Sequence, residues 1–175
     1  MLLQTEVRQK TFTSMPKWLL TIFAALTACG SKPTTAPANP LVGTWELIRY
    51  VDTSGDGPPL YAFGNHPVGL FVFTADGYFS VSLMRNPPAI HEATTDPDPD
   101  ACIPSWYCSY FGTYTYEAGG PSWTTHVLGG NIPSYLGTDQ RRTFALRGNA
   151  LTISETYSAN GQTFRGQRVL QRLSR

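Results

Sequence analysis

From Leu41 to the end of the chain, apolar and polar residues alternate in short runs, and the runs are cut by Gly, Asn, Asp and Pro. Period-two alternation places successive side chains on opposite faces of an extended strand, so each run predicts a half-buried β-strand. Phe79, Val81 and Leu83 share one face, with Tyr78, Ser80 and Ser82 on the other. Phe144 and Leu146 share a face, as do Leu151 and Ile153 one run later. Eight runs rich in β-branched and aromatic residues can be traced, over residues 43–51, 67–74, 77–84, 108–117, 122–129, 140–147, 150–157 and 163–173. Ala75-Asp76-Gly77, Arg147-Gly148-Asn149 and Gly119-Gly120-Pro121 are short glycine-bearing links that predict hairpins. No run after residue 41 has a helical period, and parallel pairing would need a crossover helix between strands. The prediction is all-β: eight antiparallel strands that close up-and-down into a barrel and so lose their edges, with a two-sheet sandwich as the rival arrangement.

The chain before Leu41 follows another pattern. Residues 18–28 form an apolar run preceded by Lys17 and, further upstream, by Arg8 and Lys10. The run is shorter than the about 20 residues a membrane-spanning helix needs, which reads as a secretory signal peptide over residues 1–28. It ends Leu26-Thr27-Ala28-Cys29, which resembles the lipobox of bacterial lipoproteins. The resemblance implies cleavage before Cys29 and acylation of that cysteine. Several acyl chains at about 0.8 kcal/mol per buried CH₂ would anchor the protein to a membrane. Gly30 follows, with no Asp to suggest inner-membrane retention, so the expected location is the outer membrane, facing the periplasm. Residues 29–40, rich in Pro, Thr and Ala, predict an extended tether, which leaves 41–175 as the folded domain.

Composition narrows the function. Apolar residues make up 41% and aromatics 13%, enough for one core, while charged residues are only 14%. The formal charge is +1. Loss of Glu6, Arg8, Lys10 and Lys17 with the leader leaves about −1, which gives no electrostatic footprint for nucleic acid. Cys102 and Cys108 lie six residues apart, and export to an oxidising compartment favours a local disulfide over two free thiols. No metal site is expected. Asp52-Thr53-Ser54-Gly55-Asp56-Gly57 imitates the start of a calcium loop, but Phe63 stands where the bidentate Glu belongs. Asp96, Asp98 and Asp100 alternate, yet Ala101 replaces the glycine of the sharp turn. Neither a nucleophile-elbow motif nor paired metal-binding histidines occur, and no cofactor is implied.

Leu41-Val42-Gly43-Thr44-Trp45-Glu46-Leu47 carries a Gly-x-Trp on the first strand. Residues 69–80, Tyr110-Phe111-Gly112-Thr113-Tyr114, Thr125-His126-Val127 and the stretch Gly137–Phe144 complete a pattern that resembles the bacterial and fungal lipocalin-like domain family over residues 41–173. The resemblance implies that Trp45 plugs one end of the barrel and that Arg172 or Arg168 on the last strand lies across it. It also implies that His126 and Arg142 occupy recurrent positions. His126 shares a face with Thr124 and Leu128; if that face is the interior, His126 and Arg142 are polar anchors in an apolar cup. A buried Arg142 would need a carboxylate, with Glu46, Glu117 and Glu155 as candidates.

The expected function is binding of a small hydrophobic or amphipathic molecule, by a monomer, with Trp45, Phe73, Phe79, Tyr114, His126, Arg142 and Phe144 as the ligand-binding set. Two rivals stand beside it. One is an isomerase or cyclase that uses His126 with Arg142 or a tyrosine as acid and base. The other is a structural envelope lipoprotein with a filled barrel. The long loops at 52–66 and 86–107 are candidate binding loops.

Overall fold

The computed structural model describes residues 38–88, 101–159 and 161–174. The leader, Cys29 and most of the expected tether lie outside these residues, as does the Asp-Pro run in the second long loop. The described residues belong to one compact unit, Ala36–Arg175.

All eight expected strands form: β1 (Gly43–Thr53), β2 (Val68–Phe73), β3 (Tyr78–Met84), β4 (Tyr107–Tyr116), β5 (Ser122–Gly130), β6 (Asp139–Arg147), β7 (Ala150–Ala159) and β8 (Gln162–Ser174). Each pairs antiparallel with the next, and β8 returns to β1. The result is a closed up-and-down barrel, which excludes the sandwich. A single 3-10 turn at Pro133–Tyr135 breaks the link between β5 and β6. Cys102 and Cys108 are joined as a disulfide, with Cα atoms 5.2 Å apart.

The glycines of two links have the conformation their turns require. Gly77 has φ +90° and Gly148 has φ +59°, a region that L side chains avoid. Gly112 answers a different demand. A Cβ there would overlap the carbonyl of His126, because β4 and β5 approach closely beside a register shift between Phe111 and Gly112.

Three departures from simple strand geometry position the site. The first is a bulge in β1: Leu47 pairs with Leu170, but Arg49 pairs with Val169. The extra residue, Ile48, is exposed, and it moves Tyr50 and Asp52 onto the inner face. The second lies between β6 and β7, whose ladder runs only from Arg147↔Ala150 to Thr143↔Ser154. Residues 139–142 of β6 pair with β5 alone, and residues 155–159 of β7 pair with β8 alone. The wall of the barrel is therefore slit along these two segments. The third is the absent side chain at Gly166 on β8. A Cβ there would press on the Arg168 guanidinium and sit 2.8 Å from Asp52 Oδ1.

The interior divides along the barrel axis. At the end of the β2–β3 and β6–β7 links it is packed with aromatic side chains. The opposite end, below the β5–β6 link and the β7–β8 hairpin, is lined with charge and hydroxyl groups.

Candidate functional site

The packed end is built around Trp45, which is fully buried. Its indole Nε1 donates to Leu41 O at 2.8 Å. Arg172 lies over the ring, with its guanidinium carbon 3.9 Å from the centroid, and donates from Nη1 to Val42 O at 2.7 Å. Such a stack contributes about 0.5–2 kcal/mol. Of the two arginines the resemblance allowed, Arg172 takes this place. Phe73 meets Phe79 at 4.8 Å, Tyr114 at 5.2 Å and Trp123 at 5.3 Å between ring centroids, and Trp123 meets Phe144 at 5.8 Å. The Tyr114 hydroxyl donates to Thr74 O at 2.9 Å, so its polar atom is satisfied by the chain itself. Little room for a guest remains among these rings.

The other end opens into a cleft of about 1520 Å³ that takes in both the barrel mouth and part of its outer face. It is lined from within by Tyr50, Arg142, Glu155 and Arg168, and its lining continues to Arg141 and Thr156, which point outward. A cavity with both inner and outer faces of one wall in its lining passes through that wall, here at the slit between β6 and β7.

Arg168 organises the cavity floor. Its Nη1 donates to Asp52 Oδ1 at 2.6 Å and its Nη2 to Glu155 Oε1 and the Tyr50 hydroxyl. Its guanidinium carbon stands 3.5 Å from the Tyr50 ring centroid. Glu155 is shared: its Oε2 accepts from Arg142 Nε at 3.0 Å. Of the three carboxylates the sequence offered Arg142, Glu155 is the partner. Arg142 also donates to the Tyr135 hydroxyl at 3.2 Å and to Arg141 O at 3.0 Å. Two guanidiniums and two carboxylates thus neutralise one another behind the cavity surface, as buried charges must.

The same burial governs titration. Tyr110, whose ring meets Tyr135 edge-on at 5.6 Å, is partly buried against the core. Burial pushes its hydroxyl up to about 12, with Arg142 pulling the other way. Burial also raises Tyr50 and Tyr157 well above the ordinary tyrosine range, against the pull of Arg168. For Arg142 burial opposes the charge, but Tyr110 and Glu155 outweigh it, and the guanidinium is held protonated.

The structure divides the expected ligand-binding set between the two ends and the outer wall. Arg142 lines the cavity. Trp45, Phe73, Phe79, Tyr114 and Phe144 belong to the aromatic packing at the other end. His126 stands on the outer wall, half exposed, with Nδ1 2.8 Å from Asp139 Oδ1. The inward residues of β5 are Trp123, Thr125 and Val127, so the face shared by Thr124, His126 and Leu128 looks to solvent. Tyr50, Glu155, Arg168 and Tyr157 were not in the expected set. Among the described residues no three His, Cys, Asp or Glu side chains gather as metal ligands.

A closed eight-stranded antiparallel barrel, plugged at one end by a tryptophan under an arginine and hollow at the other, is the architecture of a lipocalin-like protein. Residues 42–173, the whole barrel, match the lipocalin-like domain family, and the chain belongs to that family. No curated protein and no solved structure matches it. A lipocalin-like barrel suggests small-molecule binding.

Proposed function

We propose that the protein binds a small amphipathic molecule in the hollow half of the barrel, with the polar part of the guest against Arg142 and the tyrosine hydroxyls. The observation that carries this reading is a large cavity whose floor is already charge-balanced. Arg142 and Arg168 balance Asp52 and Glu155, so the cleft borders no unpaired buried charge in that group. The reading moves the guest away from the aromatic cluster and makes it more polar than sequence patterning suggested. Nothing at the cavity favours the isomerase reading, because the histidine it relied on is on the outside. The filled-barrel reading describes one half of the molecule. We further propose that the barrel works as a monomer tethered through lipid on Cys29 at the periplasmic face of the outer membrane. The support for that placement is the apolar run and Leu26-Thr27-Ala28-Cys29.

Native mass spectrometry of the full chain in mild detergent tests the binding reading. A retained small molecule is expected, and Gln140→Trp, which projects an indole into the cavity from β6, should expel it without unfolding the barrel. A chain that carries no guest, and that a broad metabolite panel fails to stabilise against heat, would refute the reading.

A further inference from the structure

Taking the hollow half as the binding site, we propose that its guest is an oxygen-rich anion, a carboxylate or phosphate ester that also bears hydroxyl groups. Arg165, on β8 one strand beyond the slit, selects its charge. The charged side chains that line the cavity are four arginines, Arg141, Arg142, Arg165 and Arg168, against Glu155 alone. The inner pair is spent. Arg168 is held by Asp52 and Glu155, and Arg142 by Glu155 and Tyr135.

Of the outer pair, Arg165 supplies the excess. Arg141 is paired with Glu117 at 3.4 Å and donates to Ser122 Oγ at 2.9 Å. Arg165 forms no ion pair among the described residues. A cleft edged by uncompensated charge of one sign, with protein of low dielectric behind it, concentrates the field on whatever enters. Guanidinium forks suit carboxylate and phosphate oxygens in particular.

The rest of the lining calls for hydrogen-bonding groups over alkyl chain. Thr143, Ser154, Thr156 and Ser158 flank the slit, and the strand segments there have no partner strand for their outward main-chain groups. A guest with several oxygens can satisfy these groups. A long saturated chain would strip water from them and return nothing.

Calorimetric titration of the full chain with matched pairs tests this. 4-Hydroxybenzoate is compared with 4-hydroxybenzamide, and glucose 6-phosphate with glucose, with decanoate as the apolar acid. In at least one pair the anion should bind roughly tenfold more tightly than its neutral partner at low ionic strength, and salt should narrow the gap. Arg165→Gln should narrow it several-fold. Arg147→Gln, which removes the same charge at the β6–β7 turn far from the slit, should leave it intact. Equal binding of acid and neutral partner would overturn charge selection while leaving the cavity as a binding site. Equal effects of the two arginine variants would overturn the role of Arg165. Tightest binding by decanoate would overturn the oxygen-rich guest. Binding of no probe at all would overturn the proposal, and retention of a guest in the native spectrum then decides the cavity reading separately.

Discussion

The two halves of the barrel interior use opposite means to stay folded. The packed half buries Trp45 beside the contacting rings of Phe73, Phe79 and Trp123, and the half-buried Arg172 guanidinium stands over the Trp45 indole. The hollow half buries Asp52 and Arg168, at 2% and 7% exposure, in a web of ion pairs beside open space. Apolar packing stabilises in proportion to the area hidden from water and tolerates no vacancy. A charge web is close to neutral in net stability but costly to break, so it can border a void without collapsing into it. The comparison sets a cleft bordered by ion pairs at one end against closed aromatic packing at the other.

The sharpest way to break the comparison is to remove the centre of the packed half. Trp45→Ala should cost about 3–5 kcal/mol in chemical denaturation, with the residual cavity as part of the cost. Asp52→Ala should come next. It leaves Arg168 with Glu155 alone, and a loss of about 2–4 kcal/mol is expected. If Asp52→Ala proves milder than about 1 kcal/mol, the web is solvated and the two halves do not differ in kind.

A third test reads the hollow half by pH. Tyr110 is raised in the folded state, so the fold holds its proton where the unfolded chain would release it. Its contribution is complete below about pH 10 and is lost as pH rises towards 12. Absorbance of ionised tyrosine should therefore show a late fraction that appears together with loss of the fold. Loss of up to about 2–3 kcal/mol across that window is expected. The smallest effect belongs to His126→Ala. Its exposed pair with Asp139 should contribute under about 0.5 kcal/mol, and guest retention should not change.

The eight strands could be read from alternation to within two residues at each end, whereas closure into a barrel over a sandwich is shown only by the pairing of β8 with β1. Trp45 as the plug followed from the family resemblance, which left its arginine open between Arg172 and Arg168; the contact at 3.9 Å decides for Arg172. The hollow half was not legible, for local reasons. In β1 the bulge at Ile48 reverses parity, so counting in twos from Trp45 assigns Arg49 and Val51 to the interior and turns Tyr50 and Asp52 outward. In β5 both faces carry apolar residues, Val127 on one and Leu128 on the other, and only burial shows that Leu128 and His126 face water. Arg168 shares its face with Leu170, which was a usable signal. What it faces comes from strands distant in sequence, and no spacing rule brings Asp52 and Glu155 to it.

The early end of the β6–β7 ladder has one more consequence. A beaker accepts only what fits beneath its rim, but a vessel cut down its side does not. Under the proposed binding role, a guest with one end among the tyrosines has an exit between the outer ends of β6 and β7, beyond the Arg142–Glu155 pair, so the length of the barrel would set no upper bound on its size.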